Sequence, residues 1–320
     1  MNTKIFLVTG AAGFIGSAVA KKLIQEGHQV VTIDNLSTGF EENIPDGVFF
    51  IKGDCADQKI IDQLDKYNFN TIFHIAGQSS GEVSFDKPAY DLKTNALSTL
   101  LLLKYAQKKN VKKFIYASTM SVYGDQPDRP INEDVITSPK SFYAVGKIAS
   151  EYYMQLYSNL GITNTALRLF NVYGPGQNMT NMKQGMVSIF LEQAIKNKKI
   201  VVKGSSKRFR DFVFIDDVVR AFIQAEMFND SKYRIFNIGT SKKTTISTLL
   251  DQIILNLPFE IVVEYAAPTP GDQFGIYANI EKANTELNWS PNISIEKGIK
   301  IFCSSNNEAL NKYLKNICLV

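Results

Sequence analysis

A tyrosine and a lysine stand four residues apart in Tyr143-Ala-Val-Gly-Lys147. On a helix, positions i and i+4 share one face. An ammonium beside a phenol favours the phenolate, and each pKa unit gained that way corresponds to about 1.4 kcal/mol. The expected chemistry is general-base removal of a hydroxyl proton near neutral pH. Upstream, the run Ala117-Ser118-Thr119-Met120-Ser121-Val122-Tyr123-Gly124 closes an apolar stretch with hydroxyls. Thr119 can hold a substrate oxygen beside the tyrosine. Taken alone, each feature is also what an amphipathic helix and a polar strand end would show. Their context decides between these readings.

The context begins at Gly10-Ala-Ala-Gly13-Phe-Ile-Gly16, after a short apolar run and before a helical stretch. Glycines permit the tight turn and the close approach of backbone to a pyrophosphate, which the helix N-terminus then holds. The spacing is GxxGxxG rather than GxGxxG. Asp34 ends the next apolar run, where an acid accepts hydrogen bonds from an adenosine ribose and repels a 2′-phosphate. Strand, loop, helix and acid together predict dinucleotide binding, with NAD favoured over NADP. Asp54 follows the third apolar run and fits an adenine contact or a helix cap equally well.

These groups need a scaffold, and the N-terminal half supplies one. Apolar runs at Lys4–Thr9, Val30–Ile33, Val48–Ile51, Thr71–Ile75, Lys113–Ala117 and Thr165–Leu169 alternate with helical stretches near Ser17–Gln25, Lys59–Lys66, Ala89–Lys109 and Tyr143–Leu160. That alternation predicts an α/β fold, a doubly wound parallel sheet of Rossmann type. In such sheets the strand ends carrying Thr9, Asp34 and Thr119 face the ligand crevice. Residues 1–170 are expected to form the nucleotide-binding domain, rejoined by a strand near 235–238. Residues 171–320 are expected to supply mostly a smaller, discontinuous substrate lobe. It opens with a long loop, Asn171–Gly185, and continues with helices near Met186–Asn197, Asp216–Phe228 (capped by Asp216), Thr245–Leu255, Ile280–Leu287 and Ile295–Leu314, and a strand at Ile200–Lys203.

The composition narrows the field. The chain has 320 residues, 45% of them hydrophobic, with 35 basic and 31 acidic side chains for a net charge of +4. That balance predicts neither a nucleic-acid nor a membrane-surface partner. Two histidines and three cysteines leave little for a metal site and no disulfide framework, so no metal is expected and a reducing, cytoplasmic location is. No apolar run reaches the roughly 20 residues of a membrane span.

Taken together, the motifs resemble the extended short-chain dehydrogenase/reductases of the nucleotide-sugar epimerase/dehydratase family, most closely the UDP-glucose 4-epimerases. The matching segments are Thr9–Gly16, Asp34-Asn-Leu-Ser-Thr-Gly39, Gly53-Asp54, His74-Ile-Ala-Gly77, Asn95, Thr119–Gly124, Tyr143–Lys147, Arg168-Leu-Phe-Asn-Val-Tyr-Gly-Pro175, Arg210-Asp-Phe212 and Pro270-Gly-Asp272. The resemblance implies that Gly10, Gly13 and Gly16 hold the pyrophosphate of NAD, Asp34 and Asn35 the ribose, and Asp54 the adenine. It implies that Ala76 and Gly77 line the cofactor, with Lys147 on the nicotinamide ribose. Thr119 and Tyr143 would contact the sugar 4-hydroxyl, and Asn171 and Arg210 the nucleotide diphosphate. A guanidinium suits a diphosphate on general grounds as well.

Within that family, 4,6-dehydratases carry an Asp-Glu pair after the threonine, and the decarboxylases a glutamate at the second place. Here Met120 and Ser121 stand there. What remains is hydride chemistry at one carbinol. A nucleoside-diphosphate-sugar 4-epimerase is the leading expectation, a nucleotide-linked 4-keto-6-deoxyhexose reductase the second, and a non-catalytic dinucleotide sensor the third. Two departures stand out. Thr269 occupies the place of a common family arginine, and Ile276 that of the sugar-pocket gate. Finally, Leu97 and Leu100–Leu103 on one helix, with Tyr152, Tyr153, Met154, Leu156 and Tyr157 on another, are apolar on more than one side. The resemblance implies that these two helices pair with their copies in a homodimer.

Overall fold

The computed structural model describes residues 3–230, 233–267 and 274–306. Along the first half of the chain run β1 (Ile5–Thr9), α1 (Phe14–Gln25), β2 (Gln29–Asp34), β3 (Phe49–Lys52), α2 (Gln58–Asp62), β4 (Thr71–His74), α3 (Gly81–Asp86), α4 (Pro88–Leu92), α5 (Ser98–Lys108), β5 (Lys113–Thr119), α6 (Phe142–Ser158) and β6 (Thr163–Leu169). The second half holds β7 (Asn171–Tyr173), α7 (Met186–Asn197), β8 (Lys199–Lys203), β9 (Phe209–Arg210), β10 (Phe212–Phe214), α8 (Ile215–Met227), β11 (Arg234–Ile238), β12 (Thr244–Thr245), α9 (Ile246–Leu255), β13 (Val262–Ala266), β14 (Gly275–Ile276), α10 (Glu281–Glu286) and α11 (Ile295–Ser305).

Seven strands form one sheet in the order β11-β6-β5-β4-β1-β2-β3, and every pairing is parallel. Both faces are covered. Val8, Phe73, Ile115 and Leu167 belong to one buried cluster, whereas Leu7, Ile72, Phe114, Tyr116 and Ala166 belong to the other. Helices on both faces explain why these strands read as continuous apolar runs rather than alternating ones. The chain proceeds outward from β1 to β3, then returns to add β4 beside β1 and move the other way. The order reverses between β1 and β4, and the crevice opens at their carboxyl ends.

Several elements differ from the sequence expectation, each for a local reason. The helix expected over Ala89–Lys109 is interrupted by a wide π-type turn at Lys93–Leu97, between α4 and α5. Asp216 does not cap α8. The helix starts one residue earlier, Phe214 holds the cap position, and Asp216 lies inside the first turn. Its neighbour Asp217 is buried instead, accepting the backbone N–H groups of Asn292 and Ile293. The long loop after β6 begins as a strand, because Asn171–Tyr173 pairs in parallel with Phe212–Phe214. The short strands β9, β12 and β14 form their own small sheet, and β13 pairs with β8. Two-residue strands leave no periodic signal to read. Of the helix expected over Ile295–Leu314, the portion to Ser305 is present with Asn306 at its C-terminal cap, and residues 307–314, like Thr269 and the Pro270-Gly-Asp272 segment, lie outside the described residues.

Candidate functional site

At the carboxyl ends of the strands, one cleft is lined by Gly10, Gly13, Gly16, Asp34, Asn35, Asp54, Ala76, Gly77, Thr119, Tyr143, Lys147 and Asn171. Residues far apart in sequence thus converge as the strand order requires. Arg210 is the exception among the site residues named above.

The cofactor end is made largely of backbone. Gly10 has φ +79°, and a Cβ there would sit 2.8 Å from the Ala76 nitrogen. A Cβ on Gly16 would collide with the Gly10 carbonyl. Only glycine satisfies both positions, so the first turn of α1 can lie against β1 and β4. The Asp34 carboxylate accepts the Ala12 N–H at 3.0 Å and the Leu36 N–H at 2.8 Å, which ties the glycine loop to the end of β2. A carboxylate has about four acceptor sites, so two remain for ribose hydroxyls. Thr9 reinforces the same corner: its Oγ1 accepts the N–H groups of Ile75 and Ala76 at 3.1 Å each, and contacts His74 Nδ1 at 2.8 Å. Burial pushes the His74 imidazolium down to about 3, so the ring is neutral and accepts the Thr9 proton at Nδ1. Asp54 lines the cleft beside Cys55, with its carboxylate 2.9 Å from Lys93 Nζ and accepting the Ala56 N–H. It does not cap α2, since Asp57 does. The cradle of glycines, the helix N-terminus and the acid at β2 fit an NAD dinucleotide.

The reactive end depends on α6. Ser141 caps this helix by accepting the Ala144 N–H, which sets Tyr143 in the first turn and Lys147 one turn on. Both side chains are buried, with Lys147 Nζ 2.9 Å from the Ala117 carbonyl, 4.6 Å from the Tyr116 ring centre and 5.8 Å from that of Tyr143. Thr119 Oγ1 accepts the Ser121 N–H and lies within hydrogen-bonding reach of Tyr143. In this cleft burial pushes the Tyr143 phenol up to about 12, the Thr119 hydrogen bond pulls it back, and the Asp91 carboxylate adds to the rise. Lys147 is pushed down to about 8 by its own burial, against the pull of Asp91 and Glu151. The Tyr–Lys spacing therefore does not by itself produce a base near neutrality, because the same burial disfavours both charged forms. Further positive charge from a bound nicotinamide would act in the required direction.

Around this pair lies a polar network that the sequence did not disclose. Glu151, one turn beyond Lys147, accepts Arg168 Nε at 3.0 Å and Nη2 at 2.7 Å and also the Ser118 hydroxyl, all fully buried. On the other side, Asp91 Oδ2 accepts Gln78 Nε2 at 2.7 Å and Asn95 Nδ2 at 3.2 Å. The Gly146 of the Tyr-x-x-Gly-Lys segment is what admits these groups. A Cβ there would lie 3.2 Å from Asn95 Cβ and 3.4 Å from Asp91 Oδ1.

The remaining wall comes from the 171–185 loop, which contributes the carboxamides of Asn171, Gln177, Asn178, Asn181 and Gln184. This loop is tied across to α3, because Ser80 Oγ donates to the Lys183 carbonyl and Gln184 Nε2 donates to Ser79 Oγ. Asn171 Oδ1 and Gln177 Oε1 are buried without a hydrogen-bond partner. Among the described residues Lys147 is the one cation lining the cleft. Arg210 is buried, with Nη1 donating to the Phe209 carbonyl at 2.8 Å and the Phe274 carbonyl at 3.2 Å. The pairing of β9 with β14 draws it there and buries Ile276 beside it, so neither side chain lines the cleft.

The outer faces of α4 and α6 are apolar. Leu92, Leu97, Phe142, Val145, Tyr152 and Leu156 are exposed, several of them by more than half. The four consecutive leucines do not supply this face. Leu102 and Leu103 are buried, and Leu101, like Tyr153, packs on the chain's own core.

Comparison with known proteins agrees with this arrangement. The description of the NAD dependent epimerase/dehydratase family matches residues 6–239. A putative UDP-glucose 4-epimerase of Methanocaldococcus jannaschii is 35% identical over 298 residues, covering 92% of this chain and 96% of that protein. The UDP-glucose 4-epimerase of Mycolicibacterium smegmatis is 35% identical over 300 residues, covering 92% and 95%. The UDP-glucose 4-epimerase of Thermotoga maritima, solved with UDP-glucose, superposes with a TM-score of 0.90 at 36% identity, over 96% of this chain and 99% of that one. The Thermus thermophilus enzyme, solved with NAD, gives 0.88 at 31%, over 95% and 99%. The chain belongs to the NAD-dependent epimerase/dehydratase family.

Proposed function

We propose that this protein, an NAD-dependent nucleotide-sugar 4-epimerase, acts on UDP-linked hexoses. The observation that carries the reading is the gathering of Thr119, Tyr143 and Lys147 at the crevice, with Met120 and Ser121 where an eliminating acid and base would stand. Tyr143 takes the proton of the sugar 4-hydroxyl and later returns it, while Thr119 holds the same oxygen. Lys147 keeps positive charge beside the phenol. When bound, NAD supplies the hydride acceptor and, once reduced, the donor for return to the other face of the sugar. Gly10, Gly13 and Gly16 would hold its pyrophosphate, Asp34 and Asn35 its ribose and Asp54 its adenine, and Ala76 and Gly77 would line it. Asn171 is the wall residue nearest the role of diphosphate ligand. Arg210 is buried with Nη1 on the Phe209 and Phe274 carbonyls and would have to reorient toward the cleft to join it. Relatives named for UDP-glucose support the choice of nucleotide and sugar.

The test is conversion of UDP-glucose to UDP-galactose by purified protein with no cofactor added. Denaturation should release NAD from the same sample. A reductase would instead leave UDP-glucose untouched and, given a nucleotide-linked 4-keto-6-deoxyhexose with reduced cofactor, would consume that cofactor stoichiometrically. Silence across a panel of UDP- and dTDP-sugars, with and without reduced cofactor, would favour a dinucleotide sensor.

We further propose a homodimer through the exposed face of α4 and α6, since an isologous apolar patch closes with two subunits. Light scattering at micromolar concentration should give twice the chain mass, and Leu156→Lys should halve it. We place the enzyme in the cytoplasm; no helix among the described residues is long and apolar enough to cross a membrane.

A further inference from the structure

Tyr143, Lys147 and Glu151 follow one another at intervals of about one turn on α6, and each meets a different residue at the end of β5. Tyr143 lies within hydrogen-bonding reach of Thr119, Lys147 Nζ is 2.9 Å from the Ala117 carbonyl, and Glu151 Oε1 accepts the hydroxyl of Ser118. The helix is thus matched to three consecutive strand residues. The three contacts differ in what else they must do. Tyr143 and Lys147 line the cleft, where sugar and cofactor would claim them, whereas Glu151 does not line it. About 12 Å of helix separates Glu151 from Tyr143, at about 1.5 Å per residue. Glu151 therefore acts on the reactive end only through the elements it holds.

Glu151 is itself held by Arg168 on β6. Arg168 Nε donates to Glu151 Oε1 at 3.0 Å and Nη2 to Oε2 at 2.7 Å, a two-pronged contact that restricts the relative placement of the two groups. Ser118 and Arg168 are register partners on β5 and β6, so their side chains share the sheet face that α6 covers. All three residues are buried. The Arg168 guanidinium also stacks on the ring of Tyr123, 4.8 Å from its centre, and the Tyr123 hydroxyl donates to Asn237 Oδ1 at 2.6 Å. Thr119 is therefore bracketed: Ser118 before it and Tyr123 after it both rest on the Glu151–Arg168 pair. A buried ion pair often adds little stability over apolar side chains of the same volume. What this one supplies is geometry.

We infer that Glu151, clamped by Arg168, is a positioning residue: through Ser118 it fixes the end of β5 against α6 and so sets Thr119 opposite Tyr143 before any ligand arrives. The inference rests on the proposed function, in which Thr119 and Tyr143 hold the sugar 4-hydroxyl. A misplacement of about 1 Å between such groups can cost up to about 100-fold in rate. The Ser118 hydroxyl is the link to cut, because its loss leaves the ion pair and both of its hydrogen bonds in place.

The test is Ser118→Ala in the full chain, with turnover counted per mole of NAD released on denaturation. That ratio falls when the occupied sites are misaligned, and stays unchanged when a loosened fold merely empties some of them. It should drop at least about fivefold, with KM for UDP-glucose within about twofold. Amide hydrogen exchange, read by mass spectrometry, should quicken at least about fivefold over residues 117–124 and stay unchanged over β1 and α1. Turnover per bound NAD within about twofold of the parent would overturn the inference. Should Ser118→Ala not fold, Ser118→Cys keeps the side-chain shape with a weaker donor, and the same readouts apply. If the parent protein epimerises no sugar, the proposed function fails, and exchange over residues 117–124 alone decides the role of Glu151: an unchanged rate there rejects it.

Discussion

The two ends of the cleft are built differently. At the cofactor end, binding groups are backbone atoms whose placement is enforced by glycines: Gly10 against Ala76, Gly16 against Gly10, and Asp34 tied to two N–H groups of the loop. At the proposed sugar end, the candidate groups are side-chain amides on a 15-residue loop that is held to the segment before α3 by polar contacts with Ser79 and Ser80. A backbone cradle reads a feature that every dinucleotide shares, the pyrophosphate. A ring of amides reads hydroxyl positions, and one substitution can change it without disturbing the fold. The first end suits a constant ligand and the second a variable one.

The reactive pair lies where the two ends meet, and its loss should have the largest effect. Tyr143→Phe should leave NAD binding intact and lower turnover at least about 100-fold, the usual scale of a lost general base. Retained turnover would show that the proton leaves through another group and would detach the sugar end from α6. Thr119→Val should be milder, because the base remains.

How far the sequence disclosed each end follows from the same contrast. Glycines at fixed offsets between a strand and a helix, and an acid after the next strand, are local signals, so the cradle was legible residue by residue. The parallel sheet was legible because both its faces are buried, which leaves continuous apolar runs. The Tyr143 and Lys147 spacing was legible too, but its electrostatics were not: the burial that lifts Tyr143 and depresses Lys147 comes from the packing of several elements. Asp91 and Gln78 gave no signal, since an acid 13 residues from a glutamine means nothing until α4 lies against α6. Where Arg210 sits was not legible, because its position depends on two-residue strands, β9 and β14, which have no period to read.

Cofactor choice sharpens the comparison with a smaller effect. Asp34 should make NAD bind at least about tenfold tighter than NADP, or about 1.4 kcal/mol, through repulsion of the 2′-phosphate. Asp34→Asn should narrow that ratio while largely preserving the fold, because an amide oxygen still accepts the Leu36 N–H. Equal affinities in the unaltered protein, measured by titration, would show that this end does not discriminate.

The smallest effect is expected at the amides, where it should appear in KM alone. Gln177 Oε1 is a buried acceptor with no partner in the protein, as is Asn171 Oδ1. An unpaired buried acceptor costs stability of order 1–3 kcal/mol, and a ligand donor that satisfies it recovers part of that cost on binding. Gln177→Leu removes the acceptor together with its cost. The variant should therefore be as stable as the parent or slightly more so, bind NAD unchanged, and show a KM for UDP-glucose raised about five- to tenfold with kcat within about twofold. The coupling of unchanged stability to a raised KM is the informative part. A residue that merely shaped the loop would lower the melting temperature along with affinity. One that touched no ligand would move neither KM nor kcat, and the sugar end would then have to bind through the loop backbone, as the cofactor end does.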